Sequence, residues 1–169
     1  MKKFIFTSIL LGISLFASDY KDTKSYSSQN DLYVKECASC HMGFQAEFLP
    51  KRSWNKIMDS LDNHFGVDAT FDKNDENAIR KHLLKNASDS KRVYREIRVF
   101  SDSISKYSTP LSISKIPKFK KEHREVPKRA IIQKELKSIS NCMACHTDAK
   151  DALYNERNIL IPNFGRWND

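Results

Sequence analysis

The pentapeptide Cys-x-x-Cys-His occurs twice, from Cys37 to His41 and from Cys142 to His146, and the two copies contain all four cysteines of the chain. Cysteines three positions apart lie on one face of a helical turn, where both sulfurs can form thioethers with one porphyrin. The histidine that follows can reach the iron from the same side. The predicted attachment residues are Cys37, Cys40, Cys142 and Cys145, and the predicted proximal iron ligands are His41 and His146.

Two other chemistries use paired cysteines at this spacing. A four-cysteine zinc site has Cys-x-x-Cys in duplicate, and thioredoxin-like or disulfide pairs have it once. Neither needs a histidine directly after the second cysteine, so both leave His41 and His146 unexplained. The motifs therefore favour two covalently attached haem c groups with iron, as in a two-haem c-type cytochrome.

The N-terminus has the pattern of a secretory signal peptide. Lys2 and Lys3 form a short positive region, residues 4–16 are mostly apolar, and Ala17 or Ser18 offers a small-residue cleavage point. The apolar stretch is short for a bilayer span, although an uncleaved anchor stays open as an alternative. We predict a signal peptide over 1–17, export to a bacterial periplasm, and no stable membrane insertion after cleavage. Haem attachment outside the cytoplasmic membrane agrees with export.

Charge and composition restrict the classes of partner. The formal net charge is +8 and falls to +6 without Lys2 and Lys3. Such a surface favours an acidic protein partner or an anionic membrane surface. The basic residues are scattered and form no nucleic-acid motif, so nucleic acid is not expected as a partner. The chain has only four glycines, which argues against a turn-rich β protein.

Apolar spacing predicts a mainly α protein with little or no sheet. Residues 18–30 are polar and are expected to be a flexible mature N-terminus. One helix, with Asp31 at its start, should lead into the first motif, and another should run from Pro50 to a close at Gly66 with His64 at its end. Further helices are predicted over 74–86, over 91–107, from Pro117 through His123 until Pro127 stops it, and over 129–146, and the apolar C-terminal tail should pack back on the core. In the 74–86 helix the residues expected to face inward are Ala78, Ile79, Leu83 and Ala87. A break at 108–110 divides the chain into a first haem-binding half, 31–109, and a second, 110–169.

Three histidines remain as sixth ligands for the two irons. His64 lies 23 residues after His41, and His123 lies 23 residues before His146, so each half pairs one motif with one further histidine. His82 stands among charged residues and has a weaker claim. Met58 is a chemical rival of His64, because methionine also ligates haem iron and also fills cores.

Beyond the two motifs, the segments CASCHMGFQAEFLPKRSW, LDNHFG, IPKFKKEHREVP and NCMACHTDA resemble, in this order and spacing, the dihaem cytochrome c family of bacterial periplasmic electron carriers. The resemblance runs from about Leu32 to Pro162. It implies two bis-histidine low-spin haems, with His41 and His64 on one iron and His123 and His146 on the other. It also implies redox protein partners, namely a membrane b-type cytochrome or a small soluble haem protein.

We therefore expect a single-electron carrier and not an enzyme. The alternative is a small haem oxidoreductase, a peroxidase or an enzyme of nitrogen or sulfur compounds, with one open or weakly ligated iron. Lysines and arginines between Lys115 and Arg129, with Lys51 and Arg52, are the candidate docking residues.

Overall fold

Short helices separated by turns make up the part of the chain that the computed structural model describes, which is residues 30–90 and 95–167, with side chains from residue 97 onward in the second range. The predicted signal peptide 1–17, the flexible segment 18–30 except its last residue, and the start of the predicted 91–107 helix lie outside these ranges.

Three helices lie within residues 30–90, α1 (Asp31–Cys37), α2 (Lys51–Met58) and α3 (Lys73–Asn86). The side chain of Asn30 caps α1 by accepting the Tyr33 N–H at 2.7 Å, so Asp31 opens the helix but does not cap it. Asp72 caps α3 in the same way. The predicted 74–86 helix is thereby confirmed, and α1 does lead into the first motif.

The helices that follow within 95–167 are α4 (Arg95–Asp102), α5 (Pro117–Glu122) and α6 (Lys128–Ile131). The described residues also contain 3₁₀ helices at Ala46–Phe48, Leu61–Asn63, Ile113–Lys115, Cys142–Ala144, Ala149–Asp151 and Glu156–Asn158. Strands β1 (Leu160–Ile161) and β2 (Gly165–Arg166) pair antiparallel. The expectation of a mainly α fold with little sheet is confirmed.

Two predicted helices are wrong in extent. The helix after Pro50 ends at Met58, so His64 does not lie on it, and Phe65 is 67% exposed. The predicted 129–146 helix stops at Ile131. Beyond it the side chains of Ser138 and Asn141 bond to nearby backbone, and this local bonding competes with a helical ladder.

Two smaller expectations also fail. Ala78 is exposed, contrary to the expectation that it faces inward, and the buried residues of α3 are Ile79 and Leu83. The helix predicted to reach Tyr107 ends at Asp102, and Tyr107 is largely exposed.

A single cluster of buried apolar side chains spans both predicted halves. It includes Tyr33, Phe48 and Trp54 from the first half, and Ile116 and Phe119 from the second. The division at 109/110 stays a prediction, because the core does not mark it. In the tail, Ile161 is buried as expected while Leu160 and Phe164 remain exposed.

None of the helices within 30–90 and 95–167 has the length and apolar character needed to cross a bilayer.

Candidate functional site

The first motif starts where α1 ends. Cys37 is the last residue of α1 and is half-buried, whereas Cys40 and His41 are exposed in the turn that follows. The Nδ1 atom of His41 lies 2.7 Å from the carbonyl oxygen of Met42. Donation from Nδ1 to this carbonyl leaves the Nε2 lone pair available to a metal, which is the usual arrangement of a metal-bound histidine.

His64 is placed by a tight turn rather than by a helix. The backbone N–H and carbonyl of His64 exchange hydrogen bonds with those of Val67, at 2.8 and 3.2 Å. Between them Phe65 and Gly66 both have positive φ, 53° and 91°, which is why a glycine is suited to the second position. The Asn63 side chain accepts the Gly66 N–H at 3.1 Å and further fixes the turn.

This turn places His64 beside His41. Their ring centroids lie 6.2 Å apart, and their planes are inclined by 27°. The pKa of His64 is lowered, first by burial and then by the neighbouring His41, so the neutral imidazole is favoured. A neutral imidazole is the form that ligates metal.

The second motif adopts a 3₁₀ turn, Cys142–Ala144, in which the His146 N–H donates to the Cys142 carbonyl at 2.7 Å. Burial raises the pKa of Cys142 to about 11 and also raises that of Cys145. In the first motif burial likewise raises the pKa of Cys37 to about 11. Thioredoxin-like cysteines have lowered pKa values, so the raised values here do not support the thioredoxin-like alternative.

His123 follows the last residue of α5 and is held by Phe119 one turn earlier. The two rings stack with centroids 3.9 Å apart and planes 12° from parallel. The Nδ1 atom of His123 lies 2.9 Å from the Phe119 carbonyl oxygen, so its Nε2 is also left for a metal. Burial lowers the pKa of His123.

His123 and His146 face one cavity. Their ring centroids lie 6.1 Å apart, and the cavity has a volume of about 340 Å³. Burial lowers the pKa of His146 as well, and its Nδ1 atom is buried without a hydrogen-bond partner in the described structure. The cavity is also lined by Cys142, Cys145, Phe44, Phe119, Tyr154 and Trp167.

These arrangements fit haem. When two imidazoles bind one metal ion from opposite sides, each metal–nitrogen bond is about 2 Å long. Adding the distance from each nitrogen to the centre of its ring gives about 6 Å between the two ring centroids. Both histidine pairs have this separation, and in the second pair both cysteines of the motif line the same largely apolar cavity. An apolar pocket with two thiols and two neutral imidazoles suits a porphyrin and its iron.

The other candidate ligands lie elsewhere. His82 is half-buried on α3, with its ring 5.8 Å from that of Tyr33 and its neighbour Asn86 bonding to its backbone carbonyl. Its Nε2 atom is buried without a partner among the described residues. Met58 is 4% exposed and lies in the apolar core, which agrees with the alternative that this methionine fills the core and does not ligate iron. Within 30–90 and 95–167, no three His, Cys, Asp or Glu side chains are gathered into a group that could hold a metal ion by themselves.

Several site residues were not found from the sequence. Phe44 lies 5.2 Å from the His41 ring and also lines the cavity of His146. Tyr154 lies 5.7 Å from the His146 ring, and its hydroxyl donates to the buried Gln45. The position of Phe44 three residues after His41 was a weak local signal. The contact between Gln45 and Tyr154 joins residues far apart in the chain and left no signal in the spacing.

The family model for dihaem cytochrome c matches residues 33–154. No curated protein matches the chain.

Two solved structures are similar over most of the chain. A diheme cytochrome c from Rhodobacter sphaeroides is 40% identical, with 76% of this chain and 98% of that chain covered and a TM-score of 0.66. A diheme cytochrome type c from Shewanella baltica OS155 is 31% identical, with 82% and 98% covered and a TM-score of 0.68.

Proposed function

Because the chain belongs to the dihaem cytochrome c family, we propose that it is a single-electron carrier with two bis-histidine irons. The family resemblance inferred from the sequence segments is confirmed. Two covalently bound haem c groups come with the family. In the proposal one is attached through Cys37 and Cys40, and the other through Cys142 and Cys145.

The observation that carries the proposal is the distance within each histidine pair. His41 and His64 come within 6.2 Å although they belong to different elements, and His123 and His146 come within 6.1 Å. Each pair joins the histidine of a Cys-x-x-Cys-His motif to one histidine outside it. Both separations suit a metal held between two imidazoles.

Bound haem would supply an iron that takes up and releases one electron. The protein sets the properties of this iron through the residues that ligate it. With His41 and His64 holding one iron, and His123 and His146 the other, neither iron would have a ligand position left for a substrate. Nitrogen ligands on both sides, rather than a methionine, place the reduction potentials at the low end for c-type haems. These properties suit electron transfer and argue against the small peroxidase or nitrogen and sulfur oxidoreductase, which needs an open or weak sixth ligand.

The proposal includes export to a periplasm, because residues 1–17 have the signal-peptide pattern and thioether attachment takes place outside the cytoplasmic membrane. Mass spectrometry of the protein from a periplasmic fraction tests it. A mature chain beginning at residue 18 or 19 supports export, and an intact N-terminus in a membrane fraction contradicts cleavage.

The proposed partners are redox proteins that present an acidic face. They are a membrane b-type cytochrome or a small soluble haem protein. Lys120 and Lys121 on α5 are exposed beside His123 and are the best placed to steer such a partner. Lys118 is less suited, because its ammonium pairs with Glu122 at 2.6 Å and its side chain lines the cavity.

Absorption from the visible to the near infrared, with resonance Raman spectra of the holoprotein in both oxidation states, tests the ligation. We expect two low-spin irons with nitrogen on both sides and no methionine–iron charge-transfer band. Substantial high-spin signal, or rapid binding of carbon monoxide to the reduced protein, would overturn the proposal and favour the enzyme.

A further inference from the structure

Phe44 belongs to both haem sites. Its ring lies 5.2 Å from the ring of His41 in the first site, at an inclination of 33°. The same side chain lines the cavity that contains His123 and His146 in the second site. Among the residues lining this cavity, it is the one with a ring contact to His41 in the described structure. The two sites therefore meet at Phe44.

The backbone around Phe44 is fixed from the first half. The buried Tyr33 hydroxyl donates to the Phe44 carbonyl oxygen at 2.7 Å. Two residues later, the Trp54 indole N–H donates to the Ala46 carbonyl at 2.8 Å. Each bond satisfies a polar group that burial would otherwise leave unpaired. The segment has little freedom to move away from His41.

The same segment is clamped to the second half by Gln45. Gln45 is fully buried, and both ends of its amide are used. Its Nε2 donates to the Ala149 carbonyl at 2.8 Å, and its Oε1 accepts from the Tyr154 hydroxyl. The Ala149 N–H in turn donates to the His146 carbonyl at 3.0 Å. The Tyr154 ring also packs against the His146 ring at 5.7 Å, so Gln45 is joined to His146 by two routes.

Neighbouring residues thus reach opposite proximal histidines, Phe44 by its ring to His41 and Gln45 by its amide toward His146. Groups beyond the metal ligands orient those ligands and tune the metal. A contiguous packed and hydrogen-bonded path can carry such an effect between two sites, provided that coupling is demonstrated.

We propose that Phe44 is a positioning residue shared by the two haem sites, and that the Gln45–Tyr154 clamp holds it there, so that the electronic surroundings of the two irons are coupled through this segment. The inference rests on the bis-histidine assignment proposed above and goes beyond it. An ordinary packing residue of the first site would affect only the iron held by His41.

Proton NMR of the oxidised holoprotein distinguishes the two cases, because haem methyl signals shifted by each low-spin iron report on that iron's ligand orientation. Three phenylalanines offer matched Phe→Leu variants. Phe119 stacks on His123 of the second site, Phe65 contacts His64 of the first site at 4.8 Å, and Phe44 reaches both sites. Signals are assigned to each haem from the spectra of the His64→Ala and His123→Ala variants, each of which removes a proposed ligand of one iron.

In Phe44→Leu we expect displaced methyl signals from both haems and a shift of both midpoint potentials in potentiometric titration. In Phe65→Leu only the set of the first haem should move, and in Phe119→Leu only that of the second. Movement of a single set in Phe44→Leu would overturn the inference. If the Phe44→Leu variant does not bind haem, the Tyr154→Phe variant is used instead. This substitution removes only the hydroxyl that donates a hydrogen bond to Gln45. Methyl signals of the first haem at their wild-type positions in Tyr154→Phe would then overturn the inference.

The wild-type spectrum separates this outcome from failure of the proposed function. Two sets of low-spin signals without a methionine resonance leave the electron-carrier assignment standing, whatever Phe44 does. A high-spin or methionine-ligated iron in the wild type contradicts the bis-histidine assignment itself.

Discussion

The indole nitrogen of Trp54 donates a buried 2.8 Å hydrogen bond to the carbonyl oxygen of Ala46. Trp54 lies on α2, and Ala46 begins the 3₁₀ helix that leads from Phe44 toward the core. Trp54 thus secures the segment that lies between the two histidine pairs. The indole is 5% exposed, so water cannot substitute for this bond.

Trp54→Phe should lower the stability of the holoprotein. The smaller ring leaves a void and an unpaired Ala46 carbonyl, at a cost of about 2 kcal/mol, or roughly 4–8 °C in Tm for a chain of this size. Thermal unfolding followed by far-UV circular dichroism measures it. Tyr107→Phe removes a polar group from an aromatic ring that is 86% exposed and should leave Tm unchanged. Equal Tm values for the two variants would contradict the structural role of the Trp54 bond.

His64→Ala and His123→Ala should each convert one haem to a high-spin form, so about half of the haem signal changes in each variant. The reason is that each removes one imidazole from a pair about 6 Å across. His82→Ala should keep the wild-type spectrum, since His82 contacts Tyr33 and Asn86. Visible absorption and electron paramagnetic resonance provide the readout.

Met58 provides a further control for ligand assignment. A low-spin His64→Ala variant that becomes high-spin when Met58→Leu is added would show that methionine replaces the lost imidazole. High-spin haem in His82→Ala alone would be incompatible with the assignment of His64 and His123.

Charge reversal on α5 should slow association with an acidic redox protein. The double variant Lys120→Glu, Lys121→Glu should reduce the association rate with flavodoxin, used as an acidic test partner, by about tenfold at low salt, and high salt should remove the difference. Stopped-flow absorbance measures the rate. The matched control is Lys81→Glu, Lys85→Glu, which reverses two exposed lysines on α3 with the same change in net charge. Equal slowing by both variants would indicate net charge rather than a docking face.

His82 should contribute to loss of stability in acid. Its pKa is lowered from 6.5 by burial and by the nearby Lys85 ammonium, while Tyr33 and Asn86 beside it are neutral groups. The unfolded chain therefore takes up the proton first as pH falls, so stability is full above pH 6.5 and declines as pH falls toward the folded pKa. His82→Gln should reduce the difference in Tm between pH 7 and pH 5, as measured by calorimetry. Lys81→Gln, at an exposed neighbour, should retain the wild-type pH dependence, and a wild-type slope in His82→Gln would contradict this assignment.

Local patterns in the sequence predicted the parts of the fold that local physics controls. Pro117 opens α5, and the apolar spacing of Ile79 and Leu83 marked the buried face of α3. The mainly helical class and the two haem groups also followed from the sequence, because helix periodicity and the Cys-x-x-Cys-His chemistry depend on residues close together in the chain.

Helix lengths were less predictable. Periodicity extended the helix after Pro50 to His64 and the last helix to His146, but both end early. Near the second motif, Ser138 and Asn141 bond to the backbone instead of continuing the ladder, and Lys137 adopts a φ of 61°. Apolar spacing is insensitive to such competing bonds.

The sequence by itself determined which side chains were available to the site, namely four cysteines and a short set of histidines. Only the tertiary structure decided which histidines meet. The turn at Phe65 and Gly66 brings His64 to 6.2 Å from His41, and Phe119 orients His123 within 6.1 Å of His146. The hydrogen bond from the Gln45 side chain to the Ala149 carbonyl joins residues that are 104 positions apart in the chain. Such contacts depend on how the elements pack in three dimensions, and spacing along the chain does not encode that packing directly.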